Sequence, residues 1–88
     1  MTMYNPPHPG KLVRDLLIED EEGNKIYSVV EAAGMLGCHR SSLNSLINGK
    51  RAITPEMALA LENNGYGSAE HWLSMQNSYD LFSLRKAA

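Results

Sequence analysis

Eighty-eight residues, 43% of them hydrophobic and 20% charged, leave room for one domain with one modest core and exclude a disordered tail. A formal charge of −2 and a pI near 5.8 make the chain mildly acidic. No apolar run approaches the ~20 residues a membrane helix needs, so no membrane partner is expected. The opening MTMYNPPHPG lacks the apolar stretch of a secretory signal, and the single cysteine, Cys38, cannot form an internal disulfide. A cytoplasmic location is the expectation. His8, His39 and His71 are too far apart to read as zinc ligands with Cys38, and no metal or cofactor is expected.

Residues 1–7 read as an arm, its Asn5-Pro6-Pro7 too proline-rich for helix, and residues 8–88 as the domain. HPGKLVRDLLIED opens a first helix with Pro9 at its first position; Leu12, Val13, Leu16 and Leu17 share one face. EDEEGNKIYS then breaks it at Gly23-Asn24. The simplest reading of this acidic stretch is a solvated loop, with residues 25–27 a candidate for local extension. Ser28 starts a second helix and has Glu31 at the capping-box spacing. VVEAAGML ends at Gly37, a third helix covers roughly 39–48, and Thr54-Pro55 caps a fourth that closes at Gly65. Ser68 caps the last and longest, about 69–86, with Arg85 and Lys86 near its negative dipole end. The reading is all-α: five helices with short connections.

The middle two helices meet the demands of a helix-turn-helix over residues 29–48. Counting from Val29, the fifth residue, Ala33, is small where the second helix must pass, and the ninth, Gly37, suits the turn backbone. Ala32, Leu36, Cys38, Leu43 and Leu46 fall where apolar groups must face inward. Cys38 therefore reads as a small hydrophobe rather than a reactive thiol. Two helices and a glycine also occur in any small bundle. The outward residues of the second helix argue for more, because Arg40, Ser41, Asn44 and Ser45 are hydrogen-bonding groups with no acid among them. Set in a major groove, these four are the expected base contacts: arginine pairs with guanine, asparagine with adenine. Asn48, Lys50 and Arg51 follow as phosphate contacts, and His39 either meets a phosphate or is only an exposed capping residue. Residues 39–51 hold three cations and no acid, whereas residues 15–31 hold six acids against Lys25 alone. Acids on a remote face are partly screened beyond a Debye length of ~8–10 Å.

The last helix carries two apolar stripes, Trp72, Met75, Tyr79 and Phe82 on one face and Leu73, Leu81 and Leu84 on another. Either both lie in one core, or one closes the core and the other meets a two-fold mate. The aromatic stripe of Trp72, Met75, Tyr79 and Phe82 is the candidate dimer surface. A homodimer would present two recognition helices to half-sites ~34–36 Å apart.

Three blocks in order, NPPHPGKLVRDLL, GCHRSSLNSLINGKRAITPEMALAL and WLSMQNSYDLFSLRK, resemble the antitoxin of HigBA-type toxin–antitoxin modules, a compact lambda-repressor-like (XRE) helix-turn-helix class. The resemblance implies a bacterial dimeric repressor that binds palindromic double-stranded operator DNA in its own promoter, associating with the nucleoid when bound. It also implies that the chain neutralises a small basic RelE/HigB-like mRNA-cleaving ribonuclease toxin. It assigns recognition contacts to Arg40, Ser41, Asn44 and Ser45 and backbone contacts near His39, Asn48 and Lys50. Three departures stand out: a longer IEDEEGNKIYS segment, histidine rather than serine at position 39, and a short Ser45 where a longer basic residue is usual. A basic toxin gives the acidic segment a competing role, in which Asp15, Glu19, Asp20, Glu21 and Glu22 face and steer it.

A stand-alone repressor without a toxin, and a protein-binding bundle that has lost DNA binding, are the alternatives. Catalysis is not expected. No histidine has a nucleophile and orienting acid beside it in the pattern, and there is no glycine-rich phosphate loop or paired-carboxylate site.

Overall fold

The structure, a computed structural model, describes residues 6–87. Of the arm expected over residues 1–7, residues 1–5 lie outside the described residues. Pro6 and Pro7 line a recess with His71, Ser74, Met75 and Ser78 of the last helix, and Pro6 is buried there. Five α-helices follow: α1 (Pro9–Leu17), α2 (Val29–Leu36), α3 (Arg40–Ile47), α4 (Pro55–Asn63) and α5 (Ala69–Ala87). Together they form an all-α, lambda-repressor-like fold.

Four of the five helix starts, all but that of α3, are fixed by side chains close in sequence. His8 caps α1 by accepting a hydrogen bond at Nδ1 from the Gly10 amide, 2.9 Å away. That role needs the neutral imidazole, and partial burial of His8 lowers its pKa, outweighing the opposite pull of Asp80. Ser28 and Glu31 form the capping box reciprocally, with both bonds at 3.1 Å. Thr54 accepts from Met57 N at 3.3 Å, and Ser68 from His71 N at 3.1 Å.

The core takes residues from every helix: Val13 and Leu17 of α1, Ala32, Ala33 and Leu36 of α2, Leu43, Leu46 and Ile47 of α3, Ala58 and Leu61 of α4, and Trp72 of α5. On α1 the inward row is Pro9, Val13 and Leu17, spaced four apart. Leu12 and Leu16, expected on the same face, flank that row and remain partly exposed. Their side chains sit about 100° from the inward row, at the margin of the core.

The acidic stretch is exposed yet ordered by its own backbone. Glu19 and Lys25 form an isolated antiparallel bridge, and the amides of Ile26 and Tyr27 donate to Ile18 O (2.8 Å) and Leu17 O (3.0 Å). Asp20 holds the tip, its Oδ1 accepting from the amides of Glu22 (3.0 Å) and Asn24 (2.9 Å). These bonds, the Asn24 amide foremost, keep its carboxyl below the usual carboxylate range.

The two stripes of α5 part company in the structure. Trp72 is 1% exposed, and its Nε1 donates to Tyr66 O at 2.9 Å. The expectation that Trp72 faces a mate is therefore corrected: it is a core residue of its own subunit. Met75, Tyr79 and Phe82 of the same stripe are half-buried, and Tyr79 packs edge-on against His8 with ring centroids 4.8 Å apart. Leu81 (42%) and Leu84 (68%) face outward. Gln76 ties α5 to the segment before α4 and is buried and satisfied at both ends. Its Oε1 accepts from Ile53 N, and its Nε2 donates to Asp80 Oδ1, both at 2.9 Å.

Candidate nucleic-acid interface

The turn between α2 and α3 is made possible by Gly37, whose φ of 68° lies in the left-handed region that a side chain disfavours. No atom would block a Cβ there, so the requirement is purely one of backbone conformation. The amide of Cys38 then donates to Ala33 O at 3.0 Å, closing the turn over the small Ala33. Cys38 is half-buried against the core, and desolvation raises the pKa of its thiol.

With Leu43, Leu46 and Ile47 buried, the opposite side of α3 is presented outward. Arg40, Asn44 and Asn48 fall four apart along one line, with Ser41 beside them, and all four are exposed. Ser45, also expected to read bases, is half-buried, and its carbonyl accepts from Lys50 N at 2.9 Å. His39 takes the N-cap position but its side chain makes no capping bond, leaving it exposed at the start of the helix.

Among the described residues, Lys11–Asp15 is the one ion pair, so Arg40, Lys50 and Arg51 face solvent with no carboxylate within 4.0 Å. Lys50 follows the exposed end of α3. Arg51 stands apart from the Arg40–Asn48 line and lines a separate recess, about 250 Å³, with Cys38, Ser42, Thr54 and Glu56.

Two shallow clefts border the reading line. One lies between the start of α2 and α3, lined by Ser28, Val29, Val30, Arg40, Ser41 and Asn44. The other, at the far end of α3, brings Lys11 and Arg14 of α1 beside Asn48 and Gly49. Sequence reasoning did not single out Lys11 and Arg14. Their i, i+3 spacing shows that they share a side of α1, but nothing local shows that this side adjoins the end of α3.

The helix-turn-helix family HTH_3 matches residues 22–64. The chain is 40% identical over 80 residues to Virulence-associated protein A of Dichelobacter nodosus, covering 90% of this chain and 74% of that protein. It is 35% identical over 86 residues to the uncharacterized HTH-type transcriptional regulator YddM of Escherichia coli, covering 98% of this chain and 86% of the relative. The chain belongs to the helix-turn-helix family.

Virulence-associated protein A′ of D. nodosus is 42% identical over 80 residues, and there the match spans 90% of this chain but only 65% of the relative. Among solved structures, a Pseudomonas aeruginosa protein in complex with its 18 bp operator DNA superposes with a TM-score of 0.79 at 27% identity, covering 93% of this chain and 82% of that one. An addiction-module antidote protein of a HigA family from Coxiella burnetii superposes with a TM-score of 0.77 at 28% identity, covering 96% and 88%. Of these, the E. coli relative is called a transcriptional regulator, the P. aeruginosa neighbour is bound to its operator DNA, and the C. burnetii neighbour is called an antidote protein. The family match spans the second part of the loop before α2 and α2 to α4, which contain the turn and the reading line, and leaves α1 and α5 outside. No helix among the described residues is long and apolar enough to cross a membrane.

Proposed function

We propose that the chain is the antitoxin and autorepressor of a HigBA-type module. As a dimer it binds palindromic operator DNA in its own promoter, and it neutralises a small basic RelE/HigB-like ribonuclease. The observation that carries the DNA half is the exposed, acid-free line of Arg40, Ser41, Asn44 and Asn48 on a short helix held by a glycine turn. The operator complex of the P. aeruginosa neighbour supports it, and the HigA-family neighbour supports the antitoxin half. In this reading Arg40, Ser41 and Asn44 contact bases, with Ser45 reaching less far because it is half-buried. His39, Asn48, Lys50 and Arg51 contact phosphates. With Trp72 inside the subunit, the outward Leu81 and Leu84 are the surface offered to the mate.

Arg40→Ala tests the DNA half. A fragment of the chain's own promoter and its single-base variants are titrated by fluorescence anisotropy. The variant is expected to lose about 1–3 kcal/mol of discrimination, roughly 5- to 150-fold, at one base pair of each half-site. An unaltered preference at every position refutes base reading by α3.

For the toxin, the structure narrows the acidic set. Asp15 sits back on α1 with its side chain only 28% exposed, and Asp20 is the scaffold of its turn, so Glu19, Glu21 and Glu22 are the charges left to steer a basic partner. Reversing these three to lysine is expected to slow association with the co-purified toxin at least tenfold at low ionic strength. An on-rate equal to wild type removes this surface from the interaction. A stand-alone repressor is the second reading, favoured by the likeness to a transcriptional regulator. It is the outcome if no small basic protein accompanies the tagged chain from its native cells.

A further inference from the structure

We propose that Lys11 and Arg14 of α1, together with Asn48, form a clamp for backbone phosphates of the DNA strand that passes the C-terminal end of α3. This rests on the DNA-binding reading above and adds α1 to it. The start of α1 lies directly against the end of α3, because Gly10 has no side chain to hold it off the Leu46 carbonyl. That contact gathers His8, Lys11 and Arg14 from one element and Ile47, Asn48 and Gly49 from the other around one open cleft. Asn48 belongs to both features: it ends the Arg40–Asn44–Asn48 line and it lines the cleft. The cleft is therefore continuous with the reading face.

The ligand chemistry follows from what the cleft can donate. The amides of Asn48 and Gly49 are used within the fold, by Asn44 O at 3.2 Å and Leu46 O at 3.0 Å. Donation falls chiefly to the Lys11 ammonium, the Arg14 guanidinium and the Asn48 carboxamide, with the neutral His8 Nε2–H beside them, a set suited to phosphodiester oxygens. Of the two acids nearby, Asp80 accepts from Gln76 Nε2 at 2.9 Å and lies more than 4.0 Å from either cation, and Asp15 holds Lys11 at 3.5 Å. The latter is a loose pair at the surface, with the lysine side chain 68% exposed, so a phosphate can replace the carboxylate. Arg14 has no carboxylate within 4.0 Å among the described residues. A helix in the ~12 Å major groove has a phosphate strand on each side of it, and a cationic cleft that continues the reading line is placed to meet one of them.

The test is the salt dependence of binding to the promoter fragment by the full chain. Lys11→Gln and Arg14→Gln are each expected to make the fall of log K with log [salt] shallower by about 0.9 per subunit, one phosphate apiece and so about 1.8 for a bound dimer, with base preference unchanged. Lys25→Gln, an equal loss of charge outside the cleft, leaves the slope as in wild type. Lys11→Arg and Arg14→Lys restore it. All these positions are exposed, and a thermal melt confirms the fold of each variant. A wild-type slope in the two glutamine variants, or an equal drop in Lys25→Gln, overturns the clamp even if Arg40→Ala has upheld base reading. If the wild-type chain shows no salt-dependent affinity for the fragment, clamp and DNA reading fall together. Inorganic phosphate titrated against the amide spectrum separates a free-anion pocket: shifts at Lys11, Arg14 and Asn48 with unchanged DNA slopes also overturn the proposal.

Discussion

Trp72→Ala is expected to cost about 3–5 kcal/mol, which for a domain with ~5–15 kcal/mol in total leaves it close to unfolding. The side chain is the largest fully buried one in the structure and lies in the single core that the five helices share. Removing it leaves a cavity at the junction of α4 and α5 and also strips Tyr66 O of its indole donor. Trp72→Phe keeps most of the buried area and loses that hydrogen bond and a smaller volume, so it should be clearly milder. Urea melts measure both. The same pair tests where the residue lies. A tryptophan in a subunit interface would, when truncated, shift the monomer–dimer equilibrium and leave a folded monomer. A core tryptophan instead lowers the unfolding midpoint at every concentration. A folded Trp72→Ala monomer of wild-type stability would return the aromatic stripe to the mate.

Gly10→Ala is expected to destabilise by about 3 kcal/mol, a fall in Tm of about 12–24 °C for a domain of this size. Alanine is the better helix former by ~1 kcal/mol, so helix propensity alone predicts the opposite sign. Packing decides against it. An added Cβ would overlap the Leu46 carbonyl oxygen and come within 2.7 Å of its carbon, and both are backbone atoms that no rotamer change can move. Helix α1 must lift from the end of α3, so affinity for the promoter fragment should fall with stability, since the Lys11–Arg14 cleft opens. Gly34→Ala supplies the control. This glycine lies in α2 with nothing within 4 Å of its Cβ position, and alanine there should stabilise by about 0.5–1 kcal/mol. Equal melting temperatures for the two variants would refute the close approach.

These two substitutions also mark where reading the sequence stops. The five helices, the Ser28–Glu31 capping box, the Thr54 and Ser68 caps and the left-handed Gly37 were legible. Each depends on partners within a few residues and on backbone sterics that any chain obeys. The outward line of α3 was legible for the same reason, since helical periodicity fixes which side Arg40 and Asn44 share once Leu43 and Leu46 turn inward. The Asp20 turn was within reach too, its bonds spanning only residues 20–24, but the run of acids concealed it as a solvated loop.

What remained was decided by distant parts of the chain meeting. Periodicity showed that α5 has two apolar stripes, but which one is buried depends on where α4 and the Tyr66 carbonyl lie. Both stripes are apolar enough to be buried, so periodicity alone does not say which one is. Gln76 reaches Ile53 across 23 residues, Gly10 meets Leu46, and Lys11 and Arg14 come to lie beside Asn48. A sequence specifies local torsions and the pattern of one face directly. It specifies neighbours across the fold only through the packing of all five helices at once, and that packing set the inner stripe of α5 and the cationic border of the reading face.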